Sequence, residues 1–274
     1  MLKTLLESRA NASQNAGKKI LTLHNAPQLS ASLRPAPELT EGHIHVWTVR
    51  RLPGSSSDYL PLLSKEEFDR ASVMRSPELF HRFVADHGTL RLLLSAYLEA
   101  DPQTLPLVVN HYGKPALNIP RCRLRFNMSH SGKLTMIALC LDSEIGIDVE
   151  AIRPIVEWED IAATHFSSHE RESLQAEDPK GRESAFFRCW TRKEAVIKAV
   201  GMGLSIPLDS FTVNTSLTEP AALLHCAWDP EAISRWSLVH LEPAPGHVGA
   251  LAVQGANLSV QQFNWPSEYT ENYS

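Results

Sequence analysis

The sequence predicts an α+β chain made of two similar-sized halves, and three observations carry that reading. Amphipathic helical stretches with apolar residues at i, i+3, i+4 and i+7 stand beside stretches that alternate apolar and polar residues. After one opening strand, each half places its helices first and its strands after them. Pro154 interrupts the chain directly after a strand near the midpoint. No short internal repeat is visible, so the two halves rest on element order.

Composition excludes several classes. The chain has 274 residues, 43% of them hydrophobic, which suffices for a sizeable core and argues against a disordered chain. The formal net charge of -5 disfavours binding to nucleic acid. No apolar run approaches the ~18 residues of a membrane span, and residues 1–19 lack the apolar segment of a signal peptide. Cys122, Cys140, Cys189 and Cys226 are scattered without a C-x-x-C pair, which suits free thiols in a reducing cytoplasm.

Taken in order, residues 1–42 are rich in Ala, Ser, Asn and Pro and read as a mobile extension with one short helix at 2–9. Residues 43–51 alternate as a first strand, and 53–58 form a turn-rich loop. Ser64 with Glu67 makes a capping box for a helix to about Arg75. Pro77 at N1 opens a second helix to Glu99, striped by Phe80, Phe83, Val84, Leu90, Leu93, Leu94 and Tyr97. Its Arg82 and Arg91 suit solvated positions or an anionic ligand. Residues 105–110 read as a strand, followed by a Tyr112-Gly113-Lys114-Pro115 turn that aims Lys114. Arg121, Arg123 and Arg125 alternate, which puts them on one face of a short strand. Residues 134–141 and 145–150 read as a hairpin joined at Asp142-Ser143. The second half offers helices at 157–164, 168–176 and 181–200, then strands at 211–213, 222–227, 236–241 and 248–253. The resulting division is an extension at 1–42, an N-terminal half at 43–153, a C-terminal half at 154–264 and a tail at 265–274.

Three stretches carry chemistry. In Ile145-Gly146-Ile147-Asp148-Val149-Glu150 one strand face is apolar and the other bears two carboxylates, with Gly146 leaving room for a ligand to approach. On the helix Trp190–Val200, Trp190, Glu194 and Lys198 share a face, and Gly201 ends the helix. Asp148, Glu150 and Glu194 together are hard oxygen donors of the kind Mg²⁺ takes. Taken singly, the carboxylates suit a solvated strand face, and Glu194 with Lys198 an ordinary i,i+4 pair. The third stretch, Phe126-Asn127-Met128-Ser129-His130-Ser131-Gly132, reads as a phosphate-binding turn before a strand, with a structural histidine as the alternative for His130.

Together these stretches resemble the Sfp-type 4′-phosphopantetheinyl transferases. In that family F-N-x-S-H-S precedes a G-I-D-x-E strand, then F-S/A-x-x-E, then W-x-x-K-E-A/S-x-x-K-x-x-G-x-G. Here these are Phe126–Ser131, Gly146–Glu150, Phe166–Glu170 and Trp190–Gly203, with Gly113-Lys114-Pro115 ahead of them. Four motifs in order are far more specific than one. The resemblance spans roughly 47–211 and implies a pseudo-dimer of two similar α+β halves, acting as a monomer. It implies Mg²⁺-dependent transfer of the phosphopantetheine arm of coenzyme A to a serine of an acyl or peptidyl carrier protein. It assigns Asp148, Glu150 and Glu194 to the metal, and Glu194, Lys198 and His130 to catalysis. It assigns Arg70, Arg82, Lys114, Pro115, Ser129, His130, Lys193 and Lys198 to coenzyme A. Glu67 stands where the best-known members carry a second lysine. Two other classes would share parts of this pattern: a Mg²⁺-dependent phosphohydrolase using the same carboxylates, and a non-catalytic coenzyme A-binding module.

Overall fold

The computed structural model describes residues 36–51 and 56–265. The expected helix at 2–9, most of the 1–42 extension and the tail beyond Trp265 lie outside the described residues. In chain order the elements are β1 (His43–Arg50), α1 (Ser56–Tyr59), α2 (Lys65–Ser72), α3 (Pro77–Leu98), β2 (Leu107–Val109), β3 (Pro115–Leu117), β4 (Leu124–Ser131), β5 (Leu134–Leu141) and β6 (Ile145–Ala151). There follow α4 (Trp158–His165), α5 (Ser168–Ala176), α6 (Arg182–Val200), β7 (Phe211–Val213), β8 (Leu223–Cys226), α7 (Ala232–Arg235), β9 (Trp236–Leu241), β10 (His247–Gln254) and β11 (Ser259–Asn264).

Local chemistry sets the helix ends. The Ser64 hydroxyl accepts from the Glu67 amide and the Glu67 carboxylate accepts from the Ser64 amide, closing the expected capping box on α2. Pro77 starts α3, where its missing N–H costs nothing. A second capping box, Ser167 with Glu170, starts α5. Gly201, at φ 74°, closes α6 by donating its amide to the Ile197 carbonyl, a left-handed position suited to glycine.

Four layers result. One sheet has the order β11-β1-β5-β4 and a second the order β6-β10-β9. Trp47, Val49, Phe126, Ile137 and Leu139 pack with α3 residues Val84, Leu90, Leu93 and Leu94 on the outside of the first sheet. Ile44, Val46, Met136 and Ala138 meet Ile145, Ile147, Val149, Leu251 and Val253 between the sheets. Helix α6 covers the outside of the second, with Ala195, Val196 and Ala199 packed among Ala250 and Ala252. Period-two alternation thus sorts each strand's residues into two different cores.

Three expectations are corrected. The hairpin is β4–β5, with His130 opposite Thr135, and β6 pairs with β10 instead of β5. The second sheet therefore begins with β6, which joins β10 and β9. Residues 126–131 are strand and not turn, because their polar side chains answer a neighbouring strand. Arg121, Arg123 and Arg125 do not share a strand face. Arg121 has φ 60° ahead of β4, Arg123 is ion-paired with Glu41 and Asp142, and Arg125 donates to the carbonyl of Cys122.

Strand β11 lies parallel to β1, from His43 against Ser259 to Thr48 against Asn264. Trp265, at the proposed start of the tail, is buried against Trp47.

Candidate functional site

The site forms where β4 of the first sheet runs beside β6 of the second. The two strands meet through side chains. Asn127 Oδ1 accepts from the Ile147 amide at 2.9 Å, Ser129 Oγ donates to Asp148 Oδ1 at 2.8 Å, and Ser131 Oγ donates to Glu150 Oε2 at 2.7 Å. Ser131 Oγ also accepts from the Ala151 amide at 3.0 Å. Sequence reasoning assigned Ser129 to a ligand, counted Ser131 in a phosphate-binding turn and gave Asn127 no separate role. The available signal was their spacing: Asn127, Ser129 and Ser131 fall at every second position, two residues apart like the carboxylates that the serines meet.

Helix α6 brings Lys198 to this seam. Its ammonium donates to Asp148 Oδ1 at 2.7 Å, to Ser129 Oγ at 2.8 Å and to the Ile147 carbonyl at 3.3 Å. Burial works against the charged amine, but Asp148, Glu194 and Glu150 outweigh it and hold its pKa above the ordinary lysine value. Of the three sequence-predicted carboxylates, Asp148 touches this ammonium, and Glu194 and Glu150 add electrostatic attraction. Glu194 and Lys198 line a cavity of about 260 Å³ with Tyr112, Lys114, Pro115, Asn127, Met128 and Ile197.

Helix and strand approach closely because of Gly146. A Cβ there would overlap the carbonyl of Ala195 and the amide of Ala199. The room left by Gly146 is filled by α6 itself and not by a ligand, which corrects the sequence expectation.

The other predicted residues divide. Lys193 is a correction. It is wholly buried, and its ammonium donates to both Glu170 oxygens, at 2.7 and 2.6 Å, and to the Phe211 carbonyl at 2.6 Å. It does not line the cavity, and its ammonium is taken up by Glu170 and the Phe211 carbonyl. Lys114 lines the cavity, but its ammonium is held by Glu144 and the Ala199 carbonyl, both at 2.8 Å, where it caps α6. Pro115 lines the same wall. His130 is half-buried on the strand face that carries Met128. Arg82 lies one turn before Asp86 on α3, and Asp86 accepts from Thr135 at 2.5 Å, opposite His130. Arg70 stacks its guanidinium over Phe83, next to Arg82, 5.4 Å from the ring centroid. The two arginines and His130 therefore stand towards one end of the first sheet. Glu67 and Arg91 are inward-facing partners at 2.5 Å, with Arg91 also holding the carbonyls of Pro102 and Leu105.

The residues suit a divalent cation in their chemistry. Asp148 Oδ2 is buried without a hydrogen-bond partner among the described residues, leaving a hard oxygen unused. Among the described residues no three His, Cys, Asp or Glu side chains stand close enough to share one ion, and Lys198 is paired with Asp148.

Comparison with known proteins points to one family. The family model of the 4′-phosphopantetheinyl transferase superfamily matches residues 144–252, which include β6 and α6. The 4′-phosphopantetheinyl transferase HetI of Nostoc is 33% identical over 239 residues, covering 86% of this chain and 94% of that protein. Sfp of Bacillus subtilis is 34% identical over 157 residues, 57% of this chain and 67% of its own. AcpT of Salmonella typhimurium is 40% identical over 139 residues, 51% of this chain and 69% of its own. With a relative 33% identical and matched along nearly its whole length, the chain belongs to the 4′-phosphopantetheinyl transferase superfamily.

Proposed function

We propose that the chain binds coenzyme A in the cleft at the β4–β6–α6 seam and transfers its phosphopantetheine arm to a serine of an apo acyl or peptidyl carrier protein, in a Mg²⁺-dependent reaction. The supporting observation is the contact of Lys198 with Asp148 at 2.7 Å beside a cavity that Lys198 and Glu194 both line. In this reading the two sheets with their long helices are the halves of a pseudo-dimer. The chain acts as a monomer in the cytoplasm, where its free cysteines stay reduced.

The transfer forms a bond between the carrier serine oxygen and the phosphorus that bears the pantetheine arm. It breaks that phosphorus's bridge to the adenosine 3′,5′-bisphosphate that leaves. Asp148, Glu150 and Glu194 would hold Mg²⁺, which supplies charge neutralisation at the pyrophosphate. Lys198 adds a compact positive charge for the same phosphates. Glu194 lines the cavity, and in this reading its carboxylate, or a water held beside it, would take the serine proton. Tyr112, Met128 and Ile197 give the cavity an apolar wall for the nucleotide, and Arg70, Arg82 and His130 offer positive and donor groups for the 3′-phosphate. The carrier docks beside the cavity.

The test follows release of adenosine 3′,5′-bisphosphate with and without an apo carrier, before and after chelation of Mg²⁺. The reading requires release only with carrier and Mg²⁺, and loss of transfer in Asp148→Ala and Glu194→Ala. Release without carrier would instead mark a phosphohydrolase.

A further inference from the structure

We propose that Ser129 and Ser131 are positioning residues that aim Asp148 and Glu150 at the cation, a role that rests on the cation site proposed above. Both hydroxyls are buried, with 4% and 1% of their residues exposed. Each is locked in direction by a second partner. Ser131 Oγ accepts from the Ala151 amide, so its own hydrogen is free to go to Glu150. Ser129 Oγ meets the Lys198 ammonium, which carries only donors, so the hydroxyl accepts there and donates to Asp148.

Each serine therefore occupies one named oxygen, Asp148 Oδ1 or Glu150 Oε2. At Asp148 the other oxygen, Oδ2, is buried without a hydrogen-bond partner. A carboxylate pinned by one oxygen presents the other in a fixed direction, which is what a metal ligand needs from its neighbours. Lys198 also holds Asp148 Oδ1, but in the proposed reaction it turns to the phosphates. Ser129 then remains as the fixed donor. Asn127 is the internal comparison: it makes the same kind of rung between β4 and β6 but touches a backbone amide and no carboxylate. A ladder that served only to join the sheets would treat the three rungs alike.

The experiment titrates the full chain with Mn²⁺ in the absence of coenzyme A, reading free Mn²⁺ by electron paramagnetic resonance, with Mg²⁺ as competitor. Thermal unfolding is measured in parallel. We expect Ser129→Ala and Ser131→Ala each to weaken Mn²⁺ binding by about tenfold, the lower end of the effect of removing such an outer partner. Asn127→Ala should lower Tm and leave Mn²⁺ affinity within about twofold, and Ser131→Thr, which keeps the hydroxyl, should recover most of the affinity lost in Ser131→Ala. If Ser131→Ala does not fold, Ser131→Cys, close in size and a much weaker donor, gives the same reading. Serine variants that lose Tm yet bind Mn²⁺ like wild type overturn this role alone. A wild type with no saturable Mn²⁺ site overturns the cation reading and this role with it.

Discussion

Lys198 Nζ stands 2.7 Å from Asp148 Oδ1, so a helix cation already occupies the carboxylate that the proposed metal needs. Ammonium and Mg²⁺ would compete for Asp148 until coenzyme A draws the amine to its phosphates. Lys198→Met is expected to tighten Mn²⁺ binding in the absence of coenzyme A, while raising the KM for coenzyme A and lowering kcat. Lys198→Arg should rescue only in part, because the guanidinium has a different reach and geometry. Coenzyme A kinetics equal to wild type would place Lys198 outside the reaction.

Lys193 should behave as a stability residue. Its wholly buried pairing with Glu170 means that Lys193→Ala leaves a carboxylate uncompensated in the core, a loss of about 3–5 kcal/mol. Urea unfolding of Lys193→Ala and of the double variant Lys193→Met/Glu170→Leu checks this. The double variant should recover only part of the loss: no lone charge remains, but the Ser167 and Val213 amides lose the acceptor that Glu170 gave them. Unchanged stability with weakened coenzyme A binding would return Lys193 to the site.

Gly146→Ala should separate α6 from β6. The added methyl meets backbone atoms of Ala195 and Ala199, which cannot rotate away. The expected cost is about 1–3 kcal/mol in chemical denaturation. Transfer should fall disproportionately at a temperature where the variant is still folded, because Glu194 and Lys198 ride on the displaced helix. A variant with wild-type turnover would show that this contact is not needed to hold the site.

Glu67 predicts part of the acid limb of stability. Burial alone would raise its pKa, but His87, the Ser64 amide and Arg91 together hold it below the ordinary glutamate value. A carboxylate depressed in the folded state stabilises at pH above its unfolded pKa, about 4.3, and that stabilisation is lost as pH falls through the lower folded value. The stability gap between wild type and Glu67→Gln should therefore be widest near neutrality and shrink on acidification. A gap that stays constant with pH would contradict the charge-based account.

The parts legible in the sequence were those decided by local chemistry. Pro77, Gly201 and the Ser64–Glu67 box fix helix ends through neighbouring backbone groups, and the alternation at 145–150 fixes which face bears Asp148 and Glu150. The misread parts were decided by distant partners. Residues 126–131 look turn-like because Asn127, Ser129 and Ser131 are small and polar, and their reason is a strand some twenty residues on. Strand β6 follows β5 directly yet pairs with β10, a choice no turn residue announces. Lys193 and Lys198 lie on the same helix, and only the position of Glu170 shows that one is core and the other site.

The pairing of β11 with β1 has a consequence for how the protein is made. Among the described residues His43 finds its edge partner in Ser259, so β1 gains this neighbour only after nearly all of the chain has emerged from the ribosome. At roughly 5–20 residues per second, the bare β1 edge waits on the order of ten seconds or more for its neighbour. During that interval β1 is an open template for pairing with another chain. A fragment that ends after α6 would keep that edge permanently, so the early half, though it carries its own long helix, depends on late-made sequence to become inert.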